Sequence, residues 1–362
     1  MPEHESEHVP RPARPGRAAS TNRSGRFESY ETVALDDGWP DDPDGPAPLR
    51  TEIRAEPCKS IIARNTSPDV SFDRSINPYR GCEHGCIYCF ARPTHAFLGL
   101  SPGLDFESRI VVKQNAAAVL RQELSRPSYA PATIAIGTNT DPYQPAEKSL
   151  EVMKGILSVL SEFRHPVGIV TKGALIRRDT DVLAAMAGDG LAKVGISLTT
   201  LDGTLCRALE PRAASPVQRL KSIECLAKAG VPVRVMVAPV IPGLTDHEID
   251  ALLASAADAG ATMASYITLR LPLEVDGLFR AWLDEHRPMR AKKIIARLCD
   301  LHGGRSYDAS FGHRMRGRGV LADLIARRFE LACTKNGLST AGLPLRTDLF
   351  RVPGRGQQLA LF

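Results

Sequence analysis

The chain of 362 residues is long enough to bury one enzyme-sized core, and its 43% hydrophobic content is that of a globular protein, not of a fibrous or disordered chain. Its 46 Lys and Arg against 41 Asp and Glu leave a formal charge of +5, too mild to select a partner. No run reaches the roughly 18 apolar residues of a membrane span, and the polar start Met1-Pro2-Glu3-His4-Glu5 has no signal-peptide core, so a cytoplasmic protein without membrane contact is expected.

Residues 1–50 are rich in Pro, Arg, Ser and Gly. Arg11, Arg14, Arg17, Arg23 and Arg26 follow one another without an intervening acid, and the segment then turns acidic from Asp36 to Asp44. With no apolar period it cannot offset its ordering entropy, so a disordered arm is expected, with Phe27, Tyr30 and Trp39 as points of attachment.

The chain turns on residues 77–93, Asn-Pro-Tyr-Arg-Gly-Cys-Glu-His-Gly-Cys-Ile-Tyr-Cys-Phe-Ala-Arg-Pro, which set Cys82, Cys86 and Cys89 at Cys-x3-Cys-x2-Cys in one loop. Three thiolates so spaced suit a [4Fe–4S] cluster, whose fourth iron then lacks a protein ligand. A structural zinc site is the competing reading of the residues alone, with His84 at hand, although zinc loops usually present Cys-x2-Cys pairs. Cys206, Cys225, Cys299 and Cys333 are scattered through helical patterns and read as buried structural thiols, while Cys58 stays open between the two readings.

This loop, with Tyr88 just before the last cysteine and the surrounding run from Asn77 to Arg92, resembles the radical S-adenosylmethionine (SAM) superfamily, in the branch related to spore photoproduct lyase. The resemblance covers roughly residues 50–345. It implies that SAM chelates the open iron and that an electron from the cluster cleaves it to methionine and a 5′-deoxyadenosyl radical, chemistry that belongs to the cofactor. It further implies a reductant such as flavodoxin or ferredoxin, and DNA or another nucleic acid as the class of substrate. A non-catalytic iron–sulfur or zinc-stapled module of the DNA repair machinery is the alternative. Two features depart from the lyase. Its donor cysteine on the second strand is replaced by Ile134-Ala135-Ile136-Gly137, and its tyrosine after the last cluster cysteine is Phe90.

Strand-like runs then alternate with helical patterns, the signature of a parallel sheet. After Ser75-Ile76 come residues 133–136, 167–171, 194–198, 233–237 and 265–269. A helix is expected over 147–163, and Ser215-Pro216 and Thr245-x-x-Glu248 read as helix starts. Together with the resemblance, six βα units predict an α/β fold. It is a partial (β/α)6 TIM-like barrel of the radical SAM type over 51–285, with a basic helical C-terminal extension over 286–348 and a flexible tail over 349–362.

The chemistry of such barrels gathers at the C-terminal strand ends. There the resemblance implies that Thr138 and Asn139, across the mouth from the cluster, hold the SAM amino group. It implies that Lys172 meets the carboxylate, that Ser197 contacts the ribose, and that Tyr88 and the segment around Val240 pack the adenine. On the residues alone, Asp141-Pro142 equally makes a plain turn, Lys172 a solvated cation, Ser197 a helix cap and Tyr88 a core residue.

Residues 287–301 and 319–337 read as basic amphipathic helices covering the open side of the barrel, with Arg314, Arg316, Arg318, Arg327 and Arg328 suited to phosphates. The chain closes on Gln358-Leu359-Ala360-Leu361-Phe362, which resembles the peptide by which bacterial DNA repair and replication proteins dock on the sliding clamp. Gln358 would bond at a pocket rim, and Leu359, Leu361 and Phe362 would fill it. Packing of these residues back on the barrel is the alternative.

Overall fold

A computed structural model describes residues 16–28 and 48–354. The strands are β1 (Glu52–Glu56), β2 (Ile62–Arg64), β3 (Arg74–Ile76), β4 (Tyr79–Arg80), β5 (Arg109–Lys113), β6 (Ile134–Ile136), β7 (Val167–Thr171), β8 (Ala192–Ser197), β9 (Val233–Val240) and β10 (Met263–Thr268). Six of them, β3, β6, β7, β8, β9 and β10, pair in chain order and in parallel, and β2 adds an antiparallel edge beside β3. The outer strands do not pair with each other, so the barrel is partial, as expected.

Parallel neighbours need a crossover, and helices Val152–Glu162, Thr180–Gly188, Pro216–Lys228 and Ile249–Asp258 supply it. Their apolar stripes meet the strands in one core. Ile156, Leu157 and Leu160 are fully buried there with Ile134, Ile136, Val167 and Val235, and each such side chain contributes about 1.5–3 kcal/mol. The expected helix over 147–163 is broken at Glu151, whose φ of 49° is left-handed, into Glu147–Leu150 and Val152–Glu162. At the break the Glu147 carboxylate accepts from Arg178 (2.8 Å) and from the Met153 N–H (3.1 Å). Ser215 caps its helix as expected. Glu248 closes no capping box, because it accepts instead from the Thr200 hydroxyl (2.6 Å) and the Leu201 N–H (2.7 Å) after β8.

A second sheet, in the order β1-β5-β4, was not legible in the sequence. It matters because β4 runs directly into the cysteine loop. Helices Pro288–Leu301 and Val320–Lys335 form as expected, and the free edge of β10 is covered from this side. The Thr268 N–H donates to Met315 (2.9 Å), and the Ala264 N–H to Ser339 (2.9 Å).

The chain next crosses the N-terminal strand ends as a belt. Arg234 in β9 donates to the Ala341 carbonyl, Lys193 in β8 to Leu343 (2.5 Å), and the Arg346 N–H to Gly190 (3.0 Å). Phe350 then packs among Tyr129, Phe163 and His165.

Two expectations are corrected here. Residues 349–352 are seated on the core, not in a flexible tail, because Leu349, Phe350 and Val352 find apolar partners. Within the expected disordered arm, Arg17, Ala18 and Ala19 are buried, while Phe27, one of the expected points of attachment, stacks on Phe97 at 5.2 Å. Arg11, Arg14, Tyr30, Trp39 and the peptide Gln358 to Phe362 lie outside the described residues. No helix among the described residues is long and apolar enough to cross a membrane.

Candidate active site

The cysteine loop hangs from β4, whose Tyr79 and Arg80 pair with Val112 and Val111 of β5. Gly81 then turns at φ 77°, and the Cys82 N–H donates to the Phe106 carbonyl (2.9 Å). Gly85 turns again at φ 64°, where a Cβ would stand 2.7 Å from a Glu107 carboxylate oxygen.

Behind the loop Arg92, fully buried, spends its fork of donors on the carbonyls of Gly85 (2.9 Å), Cys86 (2.9 Å), Pro102 (3.0 Å) and Gly103 (3.0 Å) and on Glu107. Glu107 in turn accepts from the N–H groups of Ala18 (3.2 Å) and Ala19 (3.0 Å), which is how residues 16–19 come to be ordered.

Burial raises all three loop thiols above their ordinary range. Asp141 and Cys89 add to this at Cys82, and Glu210 adds to it at Cys86, where Lys172 opposes it. Thiols that share a dry loop and burden one another's ionisation fit a cationic metal group, which stabilises the thiolate. Among the described residues no three His, Cys, Asp or Glu side chains are grouped around a single-ion position. Three thiolates that each take a different iron of a cluster need no such convergence.

The loop's inner side meets the strand ends. Gln144 accepts from the Glu83 N–H (2.8 Å), and Asn77 accepts from the N–H groups of Asn139 (3.0 Å) and Thr140 (3.4 Å). The segment 137–145 therefore flanks the cysteine loop, β6 being the neighbour of β3, and does not face it across the mouth. Asp141 is more than a turn former. It accepts from the Thr171 hydroxyl (2.6 Å) and the Lys172 N–H (2.7 Å) and faces His84 at 3.3 Å. Burial works against its carboxylate, but His84, Thr171 and Lys172 outweigh it and hold the carboxyl down to about 2.

Lys172 is half-buried, not solvated. Its ammonium donates to the Ala238 carbonyl (3.1 Å) and lies 3.5 Å from Thr199 Oγ1, 3.5 Å from Glu210 and 5.8 Å from the centre of the Tyr88 ring. Burial, with Arg219 nearby, brings it down to about 8. Glu210 is the hub of this network, accepting from the Tyr88 hydroxyl, from Thr199 (2.7 Å) and from fully buried Arg219.

The structure thus brings Cys82, Cys86, Cys89, Tyr88 and Lys172 together, with Thr138 and Asn139 beside them. Val240 is fully buried at the end of β9, where its carbonyl accepts from Leu269 (2.9 Å). Ser197 is buried and offers its carbonyl to Arg219 (3.2 Å), and the hydroxyl in the network belongs to Thr199. Glu210 and Thr199 escaped the sequence reading, since isolated polar residues carry no period, and Arg92 and Gln144 lay in segments it marked without a role of their own.

The basic cluster expected to meet phosphates is largely engaged. Arg314 is held by Asp69 and Ser67, Arg328 by Asp250 and His247, and Arg316 lies 3.8 Å over the Tyr266 ring. A cavity of ≈ 470 Å³ beside β10, lined by Tyr266, Arg316 and Phe329, lies outside this site and holds no thiol.

Residues 76–256 match the model of the Radical SAM superfamily. Over 276 residues the chain is 42% identical to an uncharacterized protein of Mycobacterium tuberculosis, covering 75% of this chain and 79% of the relative. It is 27% identical over 173 residues to an uncharacterized protein of Methanocaldococcus jannaschii, covering 48% and 62%. A solved mutant of spore photoproduct lyase superposes with a TM-score of 0.57 at 16% identity over 80% of this chain and 81% of its own. Another lyase mutant, with bound AdoMet and dinucleoside spore photoproduct, gives 0.57 at 15% identity over 80% of each chain. At such identities the likeness speaks for the fold alone.

Proposed function

Because this chain belongs to the radical SAM superfamily, we propose that Cys82, Cys86 and Cys89 hold a [4Fe–4S] cluster by three of its irons and that SAM takes the fourth. When bound, the cluster supplies the electron that cleaves SAM to a 5′-deoxyadenosyl radical able to take hydrogen from a substrate. The chain's residues orient and shield that chemistry. Arg92 fixes the loop from behind, and Gln144 and Asn77 fix it from the side. Lys172, kept cationic at neutral pH, receives the SAM carboxylate, while Thr138 and Asn139 receive its amino group. Tyr88 borders the adenine and Ser197 the ribose, with Val240 buried behind them and Glu210 setting the positions of Tyr88 and Lys172.

The observation that carries this reading is the set of three thiols in one loop, Cys82 and Cys86 buried and Cys89 partly so, with the Lys172 ammonium held beside them. A reductant of the flavodoxin or ferredoxin kind is required. Eight free cysteines suit the reducing cytoplasm.

We read the substrate as a nucleic acid, supported by the dinucleoside bound in the lyase neighbour. The spore lesion itself is a poor candidate. Ile134-Ala135-Ile136 and Phe90 offer no S–H or O–H from which hydrogen is returned to a product radical.

The protein purified without oxygen and reconstituted with iron and sulfide is expected to show cluster absorbance and to form 5′-deoxyadenosine from SAM under reduction. A zinc-loaded protein that forms none would overturn the reading. A clamp pull-down with and without Gln358 to Phe362 tests the partner expected from the tail.

A further inference from the structure

Arg270 follows β10 at the mouth, in Leu269-Arg270-Leu271. Its guanidinium lies 4.0 Å from the centre of the Phe90 ring, the residue after Cys89, and Tyr307, Cys89 and Asp69 are close enough to act on its charge. Among the described residues no carboxylate stands within 4.0 Å of Arg270 and no acceptor bonds it. The neighbouring Asp69 is already taken by Arg314 and by the Gly312 N–H (2.7 Å). Arg92, Arg219, Arg314 and Arg328 all have acceptors. A guanidinium held over a ring and drawn out of bulk water, with its donors unspent, is a costly arrangement unless an anion completes it.

The surroundings say which anion. Phe90 is 39% exposed and Phe311 is 58% exposed, sites where a large apolar ring gains nothing from the core. The Arg314 guanidinium covers Phe311 at 4.8 Å, and Arg314 is close enough to Arg270 to depress its basicity further. Ring, guanidinium, guanidinium and ring therefore adjoin, with only the inner Arg270 lacking an acceptor. A small carboxylate has no use for two rings. A stretch of single strand has, because its bases stack on aromatic faces while the phosphate between them takes the guanidinium fork.

We propose that Arg270 receives a backbone phosphate of a single-stranded or flipped-out nucleic acid segment, with Phe90 and Phe311 as the stacking surfaces on either side. This places one nucleotide beside the Cys89 end of the loop. The inference rests on the nucleic acid reading above and adds the residues that would grip the strand.

The test measures fluorescence anisotropy of a labelled oligothymidylate with the reconstituted full chain, for the wild type, Arg270→Gln, Arg270→Lys and Phe311→Ala, at two salt concentrations. Arg270→Gln is expected to weaken binding about tenfold, the scale of one charge-assisted contact, and to lower the salt slope by about one. Arg270→Lys is expected to recover part of the affinity, and Phe311→Ala to weaken binding without changing the slope.

The same strand with neutral methylphosphonates in place of phosphates is expected to bind the wild type and Arg270→Gln alike. Equal binding of the charged strand by both proteins overturns the proposal. So does a loss of equal size on the neutral strand, which would mark a folding defect. A wild type that forms 5′-deoxyadenosine but binds no strand also overturns it, while leaving the radical SAM reading intact. Strand binding without 5′-deoxyadenosine would count against the cluster reading alone.

Discussion

Arg92 and Glu107 are both fully buried and bonded to each other, so neither tolerates the loss of its partner. Arg92→Leu should cost about 3–5 kcal/mol in urea unfolding, because the Glu107 charge is then left uncompensated in a dry site. The Arg92→Leu/Glu107→Leu double variant should recover part of that loss. The cysteines divide just as sharply. Cys86→Ala should bring iron content to background after reconstitution. Cys225→Ala, in helix Pro216–Lys228 with the Thr180 hydroxyl at 3.7 Å from its sulfur, should load iron as the wild type does. Wild-type iron in Cys86→Ala would sink the ligand assignment.

Among the elements, helix Gly203–Leu209 is the one whose end matters most, since the next residue is Glu210. Asp202 caps it by accepting from the N–H groups of Thr204 (2.8 Å) and Leu205 (3.1 Å). Asp202→Ala should cost about 1 kcal/mol, and Asp202→Asn much less. Calorimetric titration of the reconstituted protein should show SAM affinity falling modestly in Asp202→Ala and further in Glu210→Gln, which loosens Tyr88 and Lys172 together. The short β4 has the same kind of importance. Two residues paired with β5 decide where the cysteine loop begins.

For the whole molecule, the belt below the barrel ends where Phe350 meets Tyr129, Phe163 and His165. The His165 Nδ1 faces the Pro166 carbonyl (3.0 Å), which only accepts, so Nδ1 carries the proton and Nε2 accepts from the Tyr129 hydroxyl (2.7 Å). Burial pushes the imidazole down to about 4, against an ordinary value of about 6.5. Between those values the unfolded chain binds a proton that the folded chain refuses. Stability is therefore lost as pH falls through that window, by about 3 kcal/mol at pH 4 from this residue. His165→Gln should flatten that part of the pH dependence in denaturant melts at pH 7, 5.5 and 4, leaving the share of His95, which burial also lowers to about 4. An unchanged slope would show that His165 titrates normally in the fold.

The alternation of βα units and the three loop cysteines were decided by the sequence alone. Period and covalent spacing are local properties, so six parallel strands and a thiol-bearing loop at one end of the sheet could be read directly. Lys172 could be placed at a strand end in the same way, but its expected role came from the family resemblance. The tertiary structure alone decided that Glu210 ties Tyr88 to Lys172, that Arg92 and Glu107 brace the loop, and that Arg270 lies on Phe90 without an acceptor among the described residues. It also decided the β1-β5-β4 sheet, in which the exposed Glu52–Glu56 pairs with a strand more than fifty residues away. Each of these joins residues far apart in the chain, where the energy lies in desolvation and in the geometry of a single pair. Neither leaves a period or a spacing in the sequence.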